Sequence, residues 1–174
     1  MVAGLDKPVV LLGFMGSGKS TLGKQLADTI GWIFTDLDRF IETGENRTIA
    51  DIFEKDGESV FRKLEANALK RVLSYNRQVI AIGGGAPCHP GNLDLIREKS
   101  VSVYLKISEQ QLLHRLAGSS TNRPLLRGKS ESEVQSLITD LLAFREPFYL
   151  TADIIIESDE ITVGMILSQL PGGL

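Results

Sequence analysis

Cysteine and histidine, the side chains that build disulfides and most zinc sites, are scarce in this chain. Its 174 residues include one cysteine, Cys88, and two histidines. A lone cysteine excludes an intrachain disulfide and cannot by itself form a zinc site. Aromatic residues make up 6% of the chain, and they do not alternate with basic residues as in proteins that grip single-stranded nucleic acid. The composition therefore gives no support for nucleic acid as a partner.

Long apolar runs and an excess of charge of one sign are also missing. The net charge of −3 gives the whole molecule no attraction to nucleic acid or to an anionic membrane. No apolar run approaches the length of a membrane span, and residues 1–7 lack the apolar core of a signal peptide. We expect a single domain over residues 1–174 that is cytoplasmic and monomeric, with no membrane or nucleic-acid partner.

One glycine-rich stretch near the start matches a complete phosphate-binding motif. Residues 9–12 are apolar and predict a buried strand, and the sequence GFMGSGKST follows over residues 13–21. The match to GxxxxGK[ST] predicts backbone N–H groups around phosphate oxygens at a helix N-terminus. Lys19 would reach the β- and γ-phosphates, and Ser20 would ligate magnesium. The alternative, a turn that binds nothing, is disfavoured because the motif lies between a strand and an amphipathic helix.

Strands and helices alternate along the rest of the chain, which predicts an α/β fold. Apolar segments predict five strands, at residues 9–12, 33–35, 78–82, 101–106 and 153–157. Amphipathic segments predict a first helix that ends at residue 30, and further helices at 39–43, 48–55, 58–74, 92–99, 108–116, 130–149 and 161–170. This order is typical of a five-stranded parallel sheet with helices on both faces, a three-layer α/β/α architecture.

Two further strand ends carry candidate site residues, because such sheets bind ligands at the carboxyl ends of their strands. Asp36 and Asp38 follow the second predicted strand. Three consecutive glycines, Gly83, Gly84 and Gly85, follow the third and are called the glycine triplet below. Glycines at a strand end permit close approach of the backbone to a small ligand, although they also relieve crowding between helix and sheet.

The two aspartates have two possible roles. In an extended segment Asp36 and Asp38 would point to the same side. One would then hold magnesium through water, while the other accepts a proton or hydrogen bond from an attacking hydroxyl. In the alternative, Asp38 only caps the following helical turn. The DxD pattern is short and common, so it leaves both roles open.

Three arginines form a second set of candidates. Arg145 falls within the apolar stripe of the last long helix, where it needs either a bound carboxylate or an internal acidic partner. Arg62 precedes Glu65 by three residues, so the carboxylate would orient the guanidinium unless the two form an exposed pair. Arg123 lies in a glycine- and serine-rich loop, where it either closes over a triphosphate or stays solvated.

Together these motifs resemble the shikimate kinase family. The resemblance extends from about residue 9 to the C-terminus and is carried, in chain order, by GFMGSGKST at 13–21, Asp36-Leu37-Asp38, Phe61-Arg62 with Glu65, the glycine triplet, Arg123-Pro124-Leu125-Leu126, and Arg145 with Tyr149. It implies a fold similar to nucleoside monophosphate kinases. It also implies phosphoryl transfer from MgATP to the 3-hydroxyl of shikimate, in the chorismate route to aromatic amino acids.

The resemblance implies roles at the nucleotide end of the site. The phosphates of ATP would be held by Gly16, Ser17, Gly18, Lys19, Ser20 and Thr21. Ser20 would ligate Mg²⁺, and Asp36 would contact the ion through water. Arg123, in a lid at residues 117–129, would stabilise charge on the transferred phosphoryl group. Arg115 would stack on adenine.

At the acceptor end, the resemblance implies that Asp38 orients or deprotonates the attacking hydroxyl. Arg62 and Arg145 would clamp the shikimate carboxylate, and the backbone of the glycine triplet would hold another hydroxyl. The substrate-binding region would cover residues 39–73.

Two other functions compete with this interpretation. A kinase for another hydroxy acid, such as gluconate, would keep the phosphate-binding loop and lid but need not keep the glycine triplet with both arginines. A P-loop switch protein would bind a nucleotide without phosphorylating a metabolite. The sequence has no NKxD motif for guanine, and its DTIG stretch at 28–31 falls at the end of the first helix, where a switch glycine would not lie.

Overall fold

Five parallel strands form the centre of the molecule. The computed structural model describes residues 4–117, 128 and 130–172. Its strands pair in the order β2-β3-β1-β4-β5, and every pairing is parallel. They are β1 (Val9–Leu12), β2 (Ile33–Asp36), β3 (Gln78–Ala81), β4 (Val101–Lys106) and β5 (Ile154–Glu157). The predicted five-stranded parallel sheet is therefore confirmed.

Helices flank this sheet and complete the predicted α/β architecture. Those within the described residues are α1 (Lys19–Ile30), α2 (Leu37–Glu45), α3 (Ile49–Asp56), α4 (Glu58–Val72), α5 (Asn92–Lys99), α6 (Glu109–Ala117), α7 (Glu131–Tyr149) and α8 (Val163–Leu167). A short 3₁₀ turn at Ala86–Cys88, which the sequence did not predict, follows the glycine triplet. No described helix is long and apolar enough to cross a membrane.

The central strands position the site. All residues of β1 and β3 are buried, because helices cover both faces of the sheet at its centre, and such strands read as continuous apolar runs. Since β1, β2 and β3 run parallel, the segments that follow them lie at the same edge of the sheet. The phosphate-binding loop, the aspartates and the glycine triplet therefore share one rim, as predicted.

Helix α2 extends beyond its predicted bounds at both ends. It covers Leu37–Glu45, whereas the sequence predicted residues 39–43. The helix continues through Gly44, and Asn46, with φ of 53°, ends it. Asparagine tolerates this left-handed conformation better than most residues with a side chain, so Gly44 was not needed as a terminator. The longer helix brings Asp38 into its first turn.

Most other predicted ends lie within two residues of the observed ones. The C-terminal helix is shorter than the predicted 161–170: Thr162 caps its start by accepting from the N–H of Met165, and the helix ends at Leu167. Of the predicted lid at 117–129, the structure describes only the end of α6 and Gly128. The rest of that prediction lies outside the described residues.

Candidate functional site

The phosphate loop, residues 13–20, connects β1 to α1 and is shaped by three glycines. Gly13, Gly16 and Gly18 have φ values of 147°, 84° and 93°, a region that favours glycine. A Cβ at Gly13 would also lie only 2.8 Å from Ser17 Oγ. Gly18 is the N-cap of α1 and offers no side chain to the N–H groups of the first turn. A helix start of this kind suits a bound anion.

Ser17 differs from the other residues of the loop in its side chain. The residue is 1% exposed, and its Oγ has no hydrogen-bond partner among the described residues. Its amide donates to the carbonyl of Phe14 at 3.2 Å. The hydroxyl therefore faces the protein interior rather than the rim, which leaves the backbone as the part of Ser17 nearest to a ligand.

Lys19 and Ser20 begin α1 and carry the charged and hydroxyl groups of the loop. Lys19 Nζ donates to the carbonyl oxygens of Gly13 and Phe14 at 2.8 and 2.9 Å. Ser20 Oγ donates to Asp36 Oδ2 at 2.7 Å. A hydroxyl oxygen and a carboxylate oxygen in contact beside a phosphate loop are ligands that suit Mg²⁺.

Asp36 and Asp38 lie where β2 passes into α2, and the local structure corrects the sequence argument. Asp36 ends the strand and caps the helix, since its Oδ1 accepts from the N–H groups of Asp38 and Arg39 at 3.1 and 3.4 Å. Asp38 belongs to the first helical turn, so the alternation of an extended strand does not orient it. The expectation that Asp38 would cap the helix is also wrong, because the cap is Asp36.

The carboxyl group of Asp38 is partly buried and lies close to other charged groups. Burial is the main reason why its pKa is raised above the ordinary value, and the neighbouring charge of Asp36 adds to the effect. Lys19 and Arg62 act in the opposite direction. A partly buried carboxylate near two cations, with a raised pKa, fits the role of proton acceptor.

Each member of the glycine triplet makes room for a polar side chain of the site. None of the three has a positive φ, so close approach explains the glycines better than backbone conformation does. A Cβ would lie 3.3 Å from Asp38 Oδ1 and Glu65 Oε1 at Gly83, 3.2 Å from Arg145 Nη1 and Tyr149 Oη at Gly84, and 3.4 Å from both Arg62 Nη atoms at Gly85. The triplet is therefore the surface on which side chains of three helices, α2, α4 and α7, meet.

Arg62 is held by two carboxylates of its own helix. Its Nη1 lies 3.0 Å from Glu65 Oε2, and its Nη2 lies 2.9 Å from Glu58 Oε1. Glu65 is 1% exposed, and burial raises its pKa while Arg62 opposes the rise. The alternative of an exposed Arg62–Glu65 pair is therefore wrong. The role of Glu58 was not predicted, although its spacing of four residues from Arg62 could have indicated it.

Arg145 is half-buried on α7, and its guanidinium lies 5.7 Å from the centre of the Phe14 ring. No carboxylate of the described residues forms an ion pair with it. A bound anion, the other partner that the sequence allowed, would neutralise this charge. Arg145 Nη2 comes within 3.6 Å of the Cβ position at Gly85, beside Arg62. Two guanidinium groups at one point favour a carboxylate or phosphate ligand.

A cavity of about 450 Å³ joins these parts of the rim. Its lining comprises Met15, Gly16, Gly18, Lys19, Ser20, Thr21, Asp36, Asp38, Ala81, Ile82, Gly83, Gly84 and Arg115. Arg115 donates to the carbonyl oxygens of Gly16 and Asp159 at 3.2 and 2.6 Å, so it braces the phosphate loop. Arg62, Gly85 and Arg145 lie beside Gly84, next to this lining. Arg123 lies outside the described residues.

Comparison with known proteins agrees with this arrangement. A family model described as shikimate kinase matches residues 15–170. A shikimate kinase from Parabacteroides distasonis is 39% identical over 154 residues, which cover 88% of this chain and 89% of the relative. The solved structure of an Acinetobacter baumannii shikimate kinase in complex with shikimate has a TM-score of 0.85 at 34% identity, over 95% of this chain and 94% of that chain.

A gluconokinase from Sinorhizobium meliloti bears on the competing substrate. Its structure has a TM-score of 0.58 at 20% identity, over 96% of this chain and 90% of that chain. This likeness extends to the fold alone. The family match and the two shikimate kinases, by contrast, agree with the sequence motifs and with the geometry of the rim. The chain belongs to the shikimate kinase family.

Proposed function

We propose that this rim transfers the γ-phosphoryl group of ATP to the 3-hydroxyl of shikimate, giving shikimate 3-phosphate and ADP. Membership of the family supports the reaction, with ATP as co-substrate, in the shikimate pathway. The assignment of residues is carried by one observation: Asp38, Arg62 and Arg145 converge on the glycine triplet, next to the phosphate loop. A nucleotide and a small carboxylic acid with hydroxyl groups fit such a site.

The phosphate loop would hold the nucleotide. Backbone N–H groups over residues 16–21 would surround the phosphate oxygens, with the positive end of α1 favouring the charge. Lys19 Nζ donates to two carbonyl oxygens of the loop in this structure. With ATP bound, it would donate to the β- and γ-phosphate oxygens and offset the negative charge that develops during transfer. Arg115 would stack on adenine, and Arg123 would approach the γ-phosphate from the lid.

Mg²⁺ would be held by Ser20 and, through water, by Asp36. Their oxygen atoms are in contact at 2.7 Å beside the loop, which fits an ion that prefers oxygen ligands and keeps several waters and substrate phosphates. When bound, the ion neutralises charge on the β- and γ-phosphate oxygens.

The acceptor would lie against the glycine triplet. Arg62 and Arg145 would bind its carboxylate, and triplet backbone groups would hold a hydroxyl. Asp38 would accept the proton of the 3-hydroxyl while that oxygen bonds to the γ-phosphorus and the bond from phosphorus to the ADP oxygen breaks. Charge from Lys19 and Arg62 opposes the raised pKa of Asp38 and so favours its ionised, proton-accepting form.

The organisation expected from the sequence belongs to the same proposal. Residues 1–174 would form a single kinase domain, with a substrate-binding region at 39–73 that contains Arg62 and a lid at 117–129. The protein would act as a monomer in the cytoplasm, without nucleic-acid or membrane partners.

A coupled assay of ADP release tests the reaction. MgATP is supplied with shikimate, quinate, gluconate or nucleoside monophosphates in parallel. We expect turnover with shikimate and background rates with the other acceptors. Gluconate and the nucleoside monophosphates lack the ring that carries both the carboxylate and the hydroxyls, and quinate carries an additional hydroxyl on a saturated carbon beside its carboxylate. Efficient turnover of gluconate would assign the other acceptor, and slow hydrolysis of ATP with every acceptor would favour a nucleotide-binding protein without transfer.

A further inference from the structure

Tyr149, the last residue of α7, is buried at the acceptor end of the site, and none of the steps above uses it. It is 0% exposed, and its ring packs against Tyr104 with centroids 5.1 Å apart. A buried phenol requires a partner for its hydroxyl. Tyr149 donates to the carbonyl oxygen of Gly84 at 2.5 Å. The hydroxyl therefore reaches the middle of the glycine triplet from the side of α7.

This hydrogen bond orients the peptide that joins Gly84 to Gly85. In a planar trans peptide the carbonyl and the following N–H point in opposite directions, and the described chain contains no cis peptide bond. Because the Gly84 carbonyl points to Tyr149, the N–H of Gly85 points away from it. This N–H donates to no acceptor among the described residues.

Gly85 lies where two cations meet. The guanidinium nitrogens of Arg62 and Arg145 come within 3.4 and 3.6 Å of the Cβ position at Gly85. A backbone donor beside two guanidinium groups gives a carboxylate three independent donors. The orientation of the peptide between Gly84 and Gly85 therefore affects how tightly a carboxylate binds.

The same hydroxyl borders Arg145. Arg145 Nη1 and Tyr149 Oη both lie 3.2 Å from the Cβ position at Gly84, and the two residues are one helical turn apart on α7. Since the phenol proton points to the Gly84 carbonyl, the lone pairs of its oxygen are available to the guanidinium. Burial raises the pKa of the phenol and Arg145 opposes this rise, so the hydroxyl stays protonated and keeps donating.

We propose that Tyr149 is a positioning residue for the acceptor carboxylate. Its hydroxyl fixes the Gly84 carbonyl and steadies Arg145, so that the Gly85 N–H and the guanidinium face one anion. The inference rests on the proposed function, because it takes Arg62 and Arg145 as the carboxylate site. Tyr149 acts through these groups and has no contact with the reacting atoms.

The test compares two tyrosines of one ring pair. Tyr149→Phe removes the hydroxyl at the triplet, and Tyr104→Phe removes one that donates to Glu146 at 3.4 Å. For Tyr149→Phe we expect the KM for shikimate to rise about tenfold, with the KM for MgATP changed by less than about twofold. For Tyr104→Phe both constants should stay within about twofold of wild type. Equal rises in both KM values, or the same change in both variants, would indicate a structural role and overturn the inference.

Arg145→Lys separates this inference from the proposed function. If Arg145→Lys raises the KM for shikimate and Tyr149→Phe does not, the carboxylate site stands and the role of Tyr149 is refuted. If neither variant changes that KM, the proposed carboxylate site fails with it.

A measurement on the unsubstituted tyrosine covers the case in which Tyr149→Phe does not fold. The chain has three tyrosines, so labelling with 3-fluorotyrosine gives three ¹⁹F signals, assigned with Tyr75→Phe and Tyr104→Phe. Saturating shikimate should shift the signal of Tyr149 and leave that of Tyr75, which is 53% exposed, in place. A Tyr149 signal that shikimate does not move contradicts the inference.

Discussion

The nucleotide end and the acceptor end of the site are built in different ways. The phosphate-binding part of the nucleotide end is one continuous stretch, residues 13–21, whose shape comes from glycine backbone conformations and a helix start. The acceptor end is assembled from four separate parts: Asp38 on α2, Arg62 on α4, the triplet after β3, and Arg145 on α7. Local conformation creates the first site, whereas only the tertiary fold creates the second.

The difference predicts how each end responds to substitution. The phosphates are bound largely by backbone N–H groups, which a side-chain substitution leaves in place. A substitution at the nucleotide end should therefore remove charge stabilisation and lower turnover. Side chains at the acceptor end are themselves the binding groups. Loss of one of them should raise the KM of the acceptor and leave the nucleotide site intact.

Lys19→Ala should give the largest effect. Removal of the ammonium should lower kcat about 10²- to 10³-fold, because charge on the transferred phosphoryl group loses its main donor on α1. The KM for shikimate should change little. Lys24→Ala is the matched control, since Lys24 lies on the same helix in an exposed pair with Asp28 and should have no effect on kcat. Near wild-type turnover of Lys19→Ala would remove the phosphate loop from the mechanism.

Arg145→Ala should give the next largest effect, at the other end of the site. Loss of a guanidinium from a two-arginine anion site should raise the KM for shikimate about 100-fold. The KM for MgATP should stay within about twofold of wild type if the two ends are independent. Initial rates over a matrix of both substrates measure the two constants.

Arg97→Ala provides the control for Arg145, because Arg97 is an exposed arginine on α5 and its loss should change neither constant. If Arg145→Ala raises the KM for shikimate and the KM for MgATP in parallel, the two ends of the site are coupled and the distinction between them does not hold.

The same difference explains how much could be predicted from the sequence. The phosphate loop could be assigned residue by residue, because its chemistry depends on neighbours in the chain. The sheet could be predicted because buried parallel strands such as β1 read as apolar runs. The meeting of Arg62 with Arg145 depends on how α4 and α7 each pack against the turn that follows the glycine triplet, which no local pattern contains. The family resemblance supplied it.

Two details at the acceptor end escaped prediction for physical reasons. Asp38 was expected in an extended segment, but Asp36 satisfies the N–H groups that start α2, so the helix begins two residues earlier than predicted. Tyr149 was part of the resemblance without a role. Its contact with Gly84 spans 65 positions of the sequence, and an aromatic residue at a helix end gives no sign of such a partner.

Asp38, at the acceptor end, lines the same cavity as Lys19, and its charge should give a smaller effect, on stability. Its folded-state pKa is raised above the ordinary value of 3.8, mainly by burial. The folded protein therefore holds this proton more tightly than the unfolded chain does, and stability is lost as the pH rises from 3.8 through the raised pKa. Asparagine cannot ionise, so Asp38→Asn should remove this loss. We expect its Tm at neutral pH to exceed that of wild type by a few degrees, although the variant loses its proton acceptor.

Thermal unfolding across a pH series measures this effect. The gain of Asp38→Asn should shrink as the pH falls and vanish below 3.8, where both proteins are neutral at this position. Asp140→Asn, at an exposed position of α7, should show almost no difference at any pH. A Tm below wild type at neutral pH would mean that Lys19 and Arg62 stabilise the Asp38 carboxylate by more than burial costs it. In that case Lys19, Asp38 and Arg62 would form an ion-pair network that connects the two ends of the site. The KM values for shikimate and MgATP would then not be independent of each other.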